Sequence, residues 1–135
     1  MDFHTDRSYR RFRAWLACHS FTLAAYAVSK GWPRDERYGL SSQLRRCAVS
    51  AEANIAEGSA KRGAAEFARY LDIAHGSLSE AECLLEIARD LGYLSDTGWK
   101  TVEEKRLTAA RQTAGLLAAV RLRARAPRSP AALPP

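Results

Sequence analysis

With 135 residues, 47% of them apolar and 27% charged, the chain has the size and make-up of one globular domain, which excludes a fibrous or disordered protein and any need for disulfides or a structural metal to hold the core. Cys18, Cys47 and Cys83 are odd in number, widely spaced and free of any C-x-x-C pair, a poor disulfide framework that fits a reducing, cytoplasmic setting. The net charge of +6 favours acidic or phosphate-bearing partners.

The first predicted helix spans residues 9–30, with Phe12, Trp15, Leu16, His19, Leu23 and Tyr26 recurring at three- and four-residue steps. Arg10-Arg11 ahead of the apolar run from Ala14 to Val28 is similar to an export signal. The run is nevertheless too short to span a bilayer and is interrupted by His19, Ser20 and Thr22, so a helix is the better reading. Gly31-Trp32-Pro33 stops it, because proline cannot continue the hydrogen-bond ladder. A second helix over residues 39–60 buries Leu40, Leu44, Cys47, Ala48, Ala51 and Ile55, a face small enough to admit a close neighbour.

Gly58 and Gly63 bracket the next break. The third helix, residues 64–91, carries Phe67, Leu71, Ala74, Leu78, Ala81, Leu85 and Ala88 in unbroken alternation of four and three, a seven-residue repeat that favours the shallow crossings of bundles. Gly92 suits a C-terminal cap, and Ser95 or Asp96 an N-cap. The fourth helix, residues 96–126, has the stripe Trp99, Val102, Ala109, Thr113, Leu116, Leu117 and Val120. Pro127 and the prolines beyond it make residues 127–135 an expected disordered Pro/Arg tail. No segment alternates with period two, so the expected fold is all-α: an antiparallel up-down-up-down four-helix bundle over residues 1–126.

The charge is concentrated at the ends. Residues 1–13 hold four arginines against Asp2 and Asp6, residues 121–135 hold four arginines and no acid, and everything between sums to zero. An up-down bundle gathers the start of the first helix, the end of the fourth and the turn between the second and third at one pole. The expected basic pole therefore comprises Arg7, Arg10, Arg11, Arg13, Lys61, Arg62, Arg121, Arg123, Arg125 and Arg128. Arginine forks suit bidentate contact with phosphate, which makes an RNA or DNA backbone the natural partner. The plainer reading is that arginines at a helix C-terminus complement its dipole and keep a tail soluble. The other pole sets Lys30, Arg34, Arg37 and Arg89 against Asp35, Glu36, Asp90 and Asp96, a balanced count. Trp32, Tyr38 and Tyr93 there suit base stacking or subunit packing, though capping the core is the commoner use.

The stretch from Tyr38 to Gly58 combines Gln43-Leu44-Arg45-Arg46, Ser50 and Asn54-Ile55-Ala56-Glu57-Gly58. It is preceded by Trp32-Pro33 and followed by Glu66-Phe67, Tyr70-Leu71, Ile73-Ala74, Gly76-Ser77-Leu78 and Glu80. This pattern resembles the signature of the 23S rRNA-intervening sequence proteins across about residues 15–94. The resemblance implies a four-helix bundle able to assemble as a homo-oligomer, a ring-like pentamer among the forms. It also implies kinship with the accessory variability determinant of diversity-generating retroelements, which binds nucleic acid and a reverse transcriptase. Where the family usually has Ile-Pro after the serine, this chain has Ala51-Glu52, so the second helix should be straighter. Arg45, Arg46, Ser50, Asn54, Glu57, Gly58, Gly76, Ser77 and Glu80 read as an architectural network, Asn54 and Glu57 needing partners near the interior and Gly76 permitting close backbone approach.

Catalytic alternatives are weaker. Bundle di-iron sites use paired Glu-x-x-His motifs, and Asp72-x-x-His75 stands alone, so neither a metal nor a cofactor is expected. Arg69 with His75 and Arg13 with His19 fit the loose Arg-His spacing of helical, metal-independent RNases, but residues six apart on a helix diverge by about 120°. No Walker loop or serine triad accompanies them. The expectation is a non-enzymatic module binding itself and nucleic acid, with a protein-binding adaptor as the runner-up.

Overall fold

A computed structural model describes residues 9–126. A 3-10 turn (Tyr9–Arg11) leads into α1 (Arg13–Ser29), followed by α2 (Leu40–Ser59), α3 (Ala64–Asp90) and α4 (Asp96–Arg125). Each helix packs on its neighbours in sequence and α1 closes the square against α4, while the backbones of neither diagonal pair come within 8 Å among the described residues. This is the expected up-down bundle. No described helix is long and apolar enough to cross a membrane.

The stripes of α2 and α3 face inward as their spacing demands. Leu44, Ala48, Ala51 and Ile55 of α2 and Leu71, Ala74, Leu78, Ala81, Leu85 and Ala88 of α3 are fully buried. α2 is an uninterrupted helix, in keeping with the absence of a proline after Ser50. The breaks are also local chemistry. Gly63 and Gly92 take positive φ, and Gly92 ends α3 in a Schellman arrangement, Tyr93 N–H donating to Ala88 and Gly92 N–H to Arg89. Ser95 caps α4 by accepting from the Gly98 amide at 3.0 Å.

Helix α1 differs from its expected orientation. Leu16, Leu23 and Tyr26 are 53%, 59% and 41% exposed, and the buried face is Ala14, Trp15, Cys18, Phe21, Thr22, Ala25 and Ser29. α1 is apolar around most of its circumference, so spacing alone selects no face. Two hydroxyls can face the core because backbone carbonyls satisfy them: Thr22 donates to Cys18 and Ala48, and Ser29 to Ala25. His19 lies at the rim, its Nδ1 2.9 Å from Glu52 of α2 and its ring stacked on Trp15.

The gap in the α4 stripe between Val102 and Ala109 is filled by a charge. Arg106, 3% exposed, takes the core position and is held by Glu103, by Glu82 of α3 at 3.0 Å and by the Leu78 carbonyl at 3.3 Å. Burial pushes the pKa of this guanidinium down, and Glu103 and Glu82 together more than offset that, so it is raised and the group stays charged. Arg106→Ala should therefore strand Glu103 and lower stability by about 3–5 kcal/mol, whereas Arg106→Met combined with Glu103→Leu should restore most of it. Denaturant unfolding followed by circular dichroism checks this, and equal stabilities for wild type and Arg106→Ala would contradict it.

Candidate nucleic-acid interface

Three separate stretches of chain bring basic residues to one end of the bundle. The turn ahead of α1 supplies Arg10, Arg11 and Arg13, the α2–α3 turn supplies Lys61 and Arg62, and the last turns of α4 supply Arg121, Arg123 and Arg125; all eight are exposed. Ring and groove contacts tie the stretches together. Phe12 packs on Phe67 of α3 with ring centroids 5.6 Å apart, and Arg11, Phe12 and Arg13 share a shallow groove with Gln112, Gly115 and Leu116 of α4. Arg7 and Arg128, expected in the same cluster, lie outside the described residues, as does the expected tail.

Neighbouring groups compensate part of this charge. Arg121 lies 3.5 Å from Asp72, and Lys61 lies 3.9 Å from Glu57 and over the Tyr70 ring. Arg69, which the charge count by segments passed over, stands beside Tyr70 and is paired to Glu66 at 2.8 Å, an interaction that raises its pKa. Arg13, Arg62, Arg123 and Arg125 have no carboxylate within 4.0 Å among the described residues. Exposed arginines without internal partners at converging chain ends can take up phosphate oxygens without breaking existing pairs.

Residues 10–115 match the family model of the 23S rRNA-intervening sequence protein. The chain belongs to that family. A solved structure of a protein of unknown function from the S23 ribosomal protein family of Bacteroides thetaiotaomicron is similar to it, with a TM-score of 0.69 and 19% sequence identity over 77% of this chain and 97% of that one. At that identity the likeness shows the fold. A search of curated proteins gives no match.

The signature residues divide into two groups. Ser50 and Ser77 share a hydrogen bond of 3.0 Å across the α2–α3 seam, and Asn54 donates to the Ser50 carbonyl and hydroxyl. Glu57 is exposed rather than interior, and Tyr70 O–H donates to it at 3.3 Å. Arg45, expected as a partner for Asn54 or Glu57, instead turns to α1, donating to Ser29 at 2.9 Å and lying over the Tyr26 ring; Arg46 is exposed. The two glycines exchange roles. A Cβ at Gly58 would come within 2.6 Å of Tyr70 Cβ, so this is where the backbones close up, while Gly76 faces outward with nothing within 4 Å.

Elsewhere the chemistry is quiet. Among the described residues no three of His, Cys, Asp and Glu converge as a ligand set. Arg69 is turned to Glu66 and Tyr70. Burial, only partly offset by the Thr113 hydroxyl, pushes the Cys18 thiol up to about 11, and burial together with Glu80 pushes Cys47 up to about 12. Both thiols stay protonated at neutral pH. Cys83 is exposed. A disulfide reagent at about pH 8 should consume one thiol rapidly and the other two only on unfolding. Rapid release from all three in the folded protein would contradict the burial described.

Proposed function

We propose that this protein is a non-catalytic, self-associating helical module that grips the phosphate backbone of RNA or DNA through its basic pole. The observation that carries this reading is the convergence of eight exposed basic side chains from three chain segments on one end of the bundle. Such a surface attracts a polyanion without reading its sequence, since phosphate contacts position a protein while base contacts specify.

Self-association is supported by the outward apolar line of α1. Leu16 and Leu23 are more than half exposed and lie seven residues apart on one helical face, and apolar surface in line on a helix suits contact with another chain. A ring of copies would present the basic pole several times over, raising avidity for a long polyanion without any new contact.

Two measurements test the two halves. Binding to a labelled RNA or DNA should weaken steeply with salt, and removing residues 121–135, with their four arginines, should reduce the slope of log K against log salt by about 3. Salt-insensitive or absent binding of the intact protein would sink the nucleic-acid reading. Light scattering should give a mass several times that of one chain, reduced to a single chain by Leu16→Glu with Leu23→Glu. A monomeric wild type, or an assembly indifferent to both changes, would count against the α1 contact.

A further inference from the structure

The pole opposite the basic one is balanced only by count. Its connection between α1 and α2 sorts the two signs to different sides. Glu36 sits against the start of α2, its Oε1 3.4 Å from the Leu40 amide, and it also meets Tyr93 of the α3–α4 turn; Glu36 first, then burial and the charge of Asp35, raise that phenol's pKa. Asp96 is taken by Arg89 at 2.9 Å. The basic residues face the other way. Lys30 from the end of α1, Arg34 and Arg37 from the connection, and Arg45 from α2 line one groove of about 460 Å³ that contains no acidic side chain.

None of these four cations has a carboxylate within 4.0 Å among the described residues. Four like charges around one concavity repel, and a structure that gathers them without a counter-charge is suited to receive one from outside. Two further features point to an oxyanion. Arg45 is already oriented by its bond to Ser29 and by the Tyr26 face, so its fork is fixed in advance. Ser41, in the first turn of α2, lines the groove and adds a hydroxyl donor, while the Leu40 amide beside it is already met by Glu36. Trp32, 6% exposed, closes the floor of the groove with its ring turned to Tyr93 of the α3–α4 turn.

The groove continues into a second of about 480 Å³ through shared Arg37 and Arg45, and there the lining turns aromatic: Tyr26, and Tyr38 at 88% exposure beside Arg37. A cationic cleft that opens onto exposed rings has the make-up of a site for phosphate followed by a base.

We propose that the α1–α2 groove is a second, separate phosphate site, with Lys30, Arg34, Arg37 and Arg45 holding a phosphoryl group and Tyr38 stacking the base attached to it. The phosphate comes either from a free mononucleotide or pyrophosphate or from an oligonucleotide strand. The site uses no residue of the basic pole and stands independently of it.

Calorimetric titration of the full chain with pyrophosphate, and anisotropy of a labelled uridylate octamer, test this side by side on three proteins: wild type, Arg34→Glu with Arg37→Glu, and Arg121→Glu with Arg123→Glu. All four arginines are exposed, and equal circular dichroism spectra establish that the variants fold. The wild type should bind at least one probe saturably, the groove variant at least about tenfold more weakly, and the pole variant should keep its pyrophosphate affinity. Tyr38→Ala should weaken the octamer and leave pyrophosphate unchanged. Binding of pyrophosphate alone would identify a free phosphate as the occupant, and tighter octamer binding that is lost in the groove variant a strand. Saturable binding of neither probe, or equal affinity in wild type and groove variant, would overturn the proposal. Loss of octamer binding in the pole variant alone bears on the basic pole and not on the groove.

Discussion

The antiparallel register of α2 and α3 is the constraint on which the rest of the molecule depends. Ser50 meets Ser77, and seven residues further along α2 and seven back along α3, Glu57 meets Tyr70. One residue on, Gly58 leaves no room for a Cβ against Tyr70, so the helices are closest next to their connecting turn. A seven-residue step on both partners keeps the same two faces together from one contact to the next. It also fixes where the turn projects, and with it Lys61 and Arg62. The α1–α4 edge is set in the same sense by the buried Cys18–Thr113 contact, which carries the start of α1 and the end of α4 to the same pole. The candidate interface is thus a by-product of register: its residues need only sit at chain ends that the core brings together.

Charge follows burial in an ordered way. Where charge enters the interior it is closed on itself, as in Arg106 with Glu103 and Glu82. A buried cation held by two carboxylates adds little net stability but disfavours any packing of α4 that lacks those partners, so it pins α4 on α3. At the rims His19 meets Glu52 and Arg89 meets Asp96. At the two ends of the bundle, Arg13, Arg62, Arg123 and Arg125 on one side and Arg34 and Arg37 on the other are exposed and have no carboxylate within 4.0 Å among the described residues.

How much of this was legible in the amino-acid order depends on contrast along each helix. α3 alternates apolar and polar residues sharply, and every member of its predicted stripe is buried; α2 behaves alike because its small residues fall between charged ones. α1 lacks that contrast, and its Leu16, Leu23 and Tyr26 could be placed on the wrong side because Cys18, Thr22 and Ser29, which look neutral in isolation, find partners that only the folded helices provide, Cys18 at the Thr113 hydroxyl and the two hydroxyls at backbone carbonyls. The hole at position 106 in the α4 stripe was the visible sign of the buried arginine. Gly76 and Gly58 read alike as helical glycines, and only the neighbouring helix tells them apart. For the candidate sites, counting charges located the basic pole because its excess is one-sided. It missed the α1–α2 groove because Asp35 and Glu36 cancel Arg34 and Arg37 in the sum while facing elsewhere.

The central claim is that nucleic acid is held by arginines at the chain ends and not by the body of the bundle. Arginine-selective modification read by mass spectrometry, with and without saturating RNA, measures this residue by residue. The account predicts protection of Arg13, Arg62, Arg123 and Arg125, with Arg89 and Arg111 modified equally in both conditions. Protection of Arg89 and Arg111 with the end arginines still reactive would contradict it.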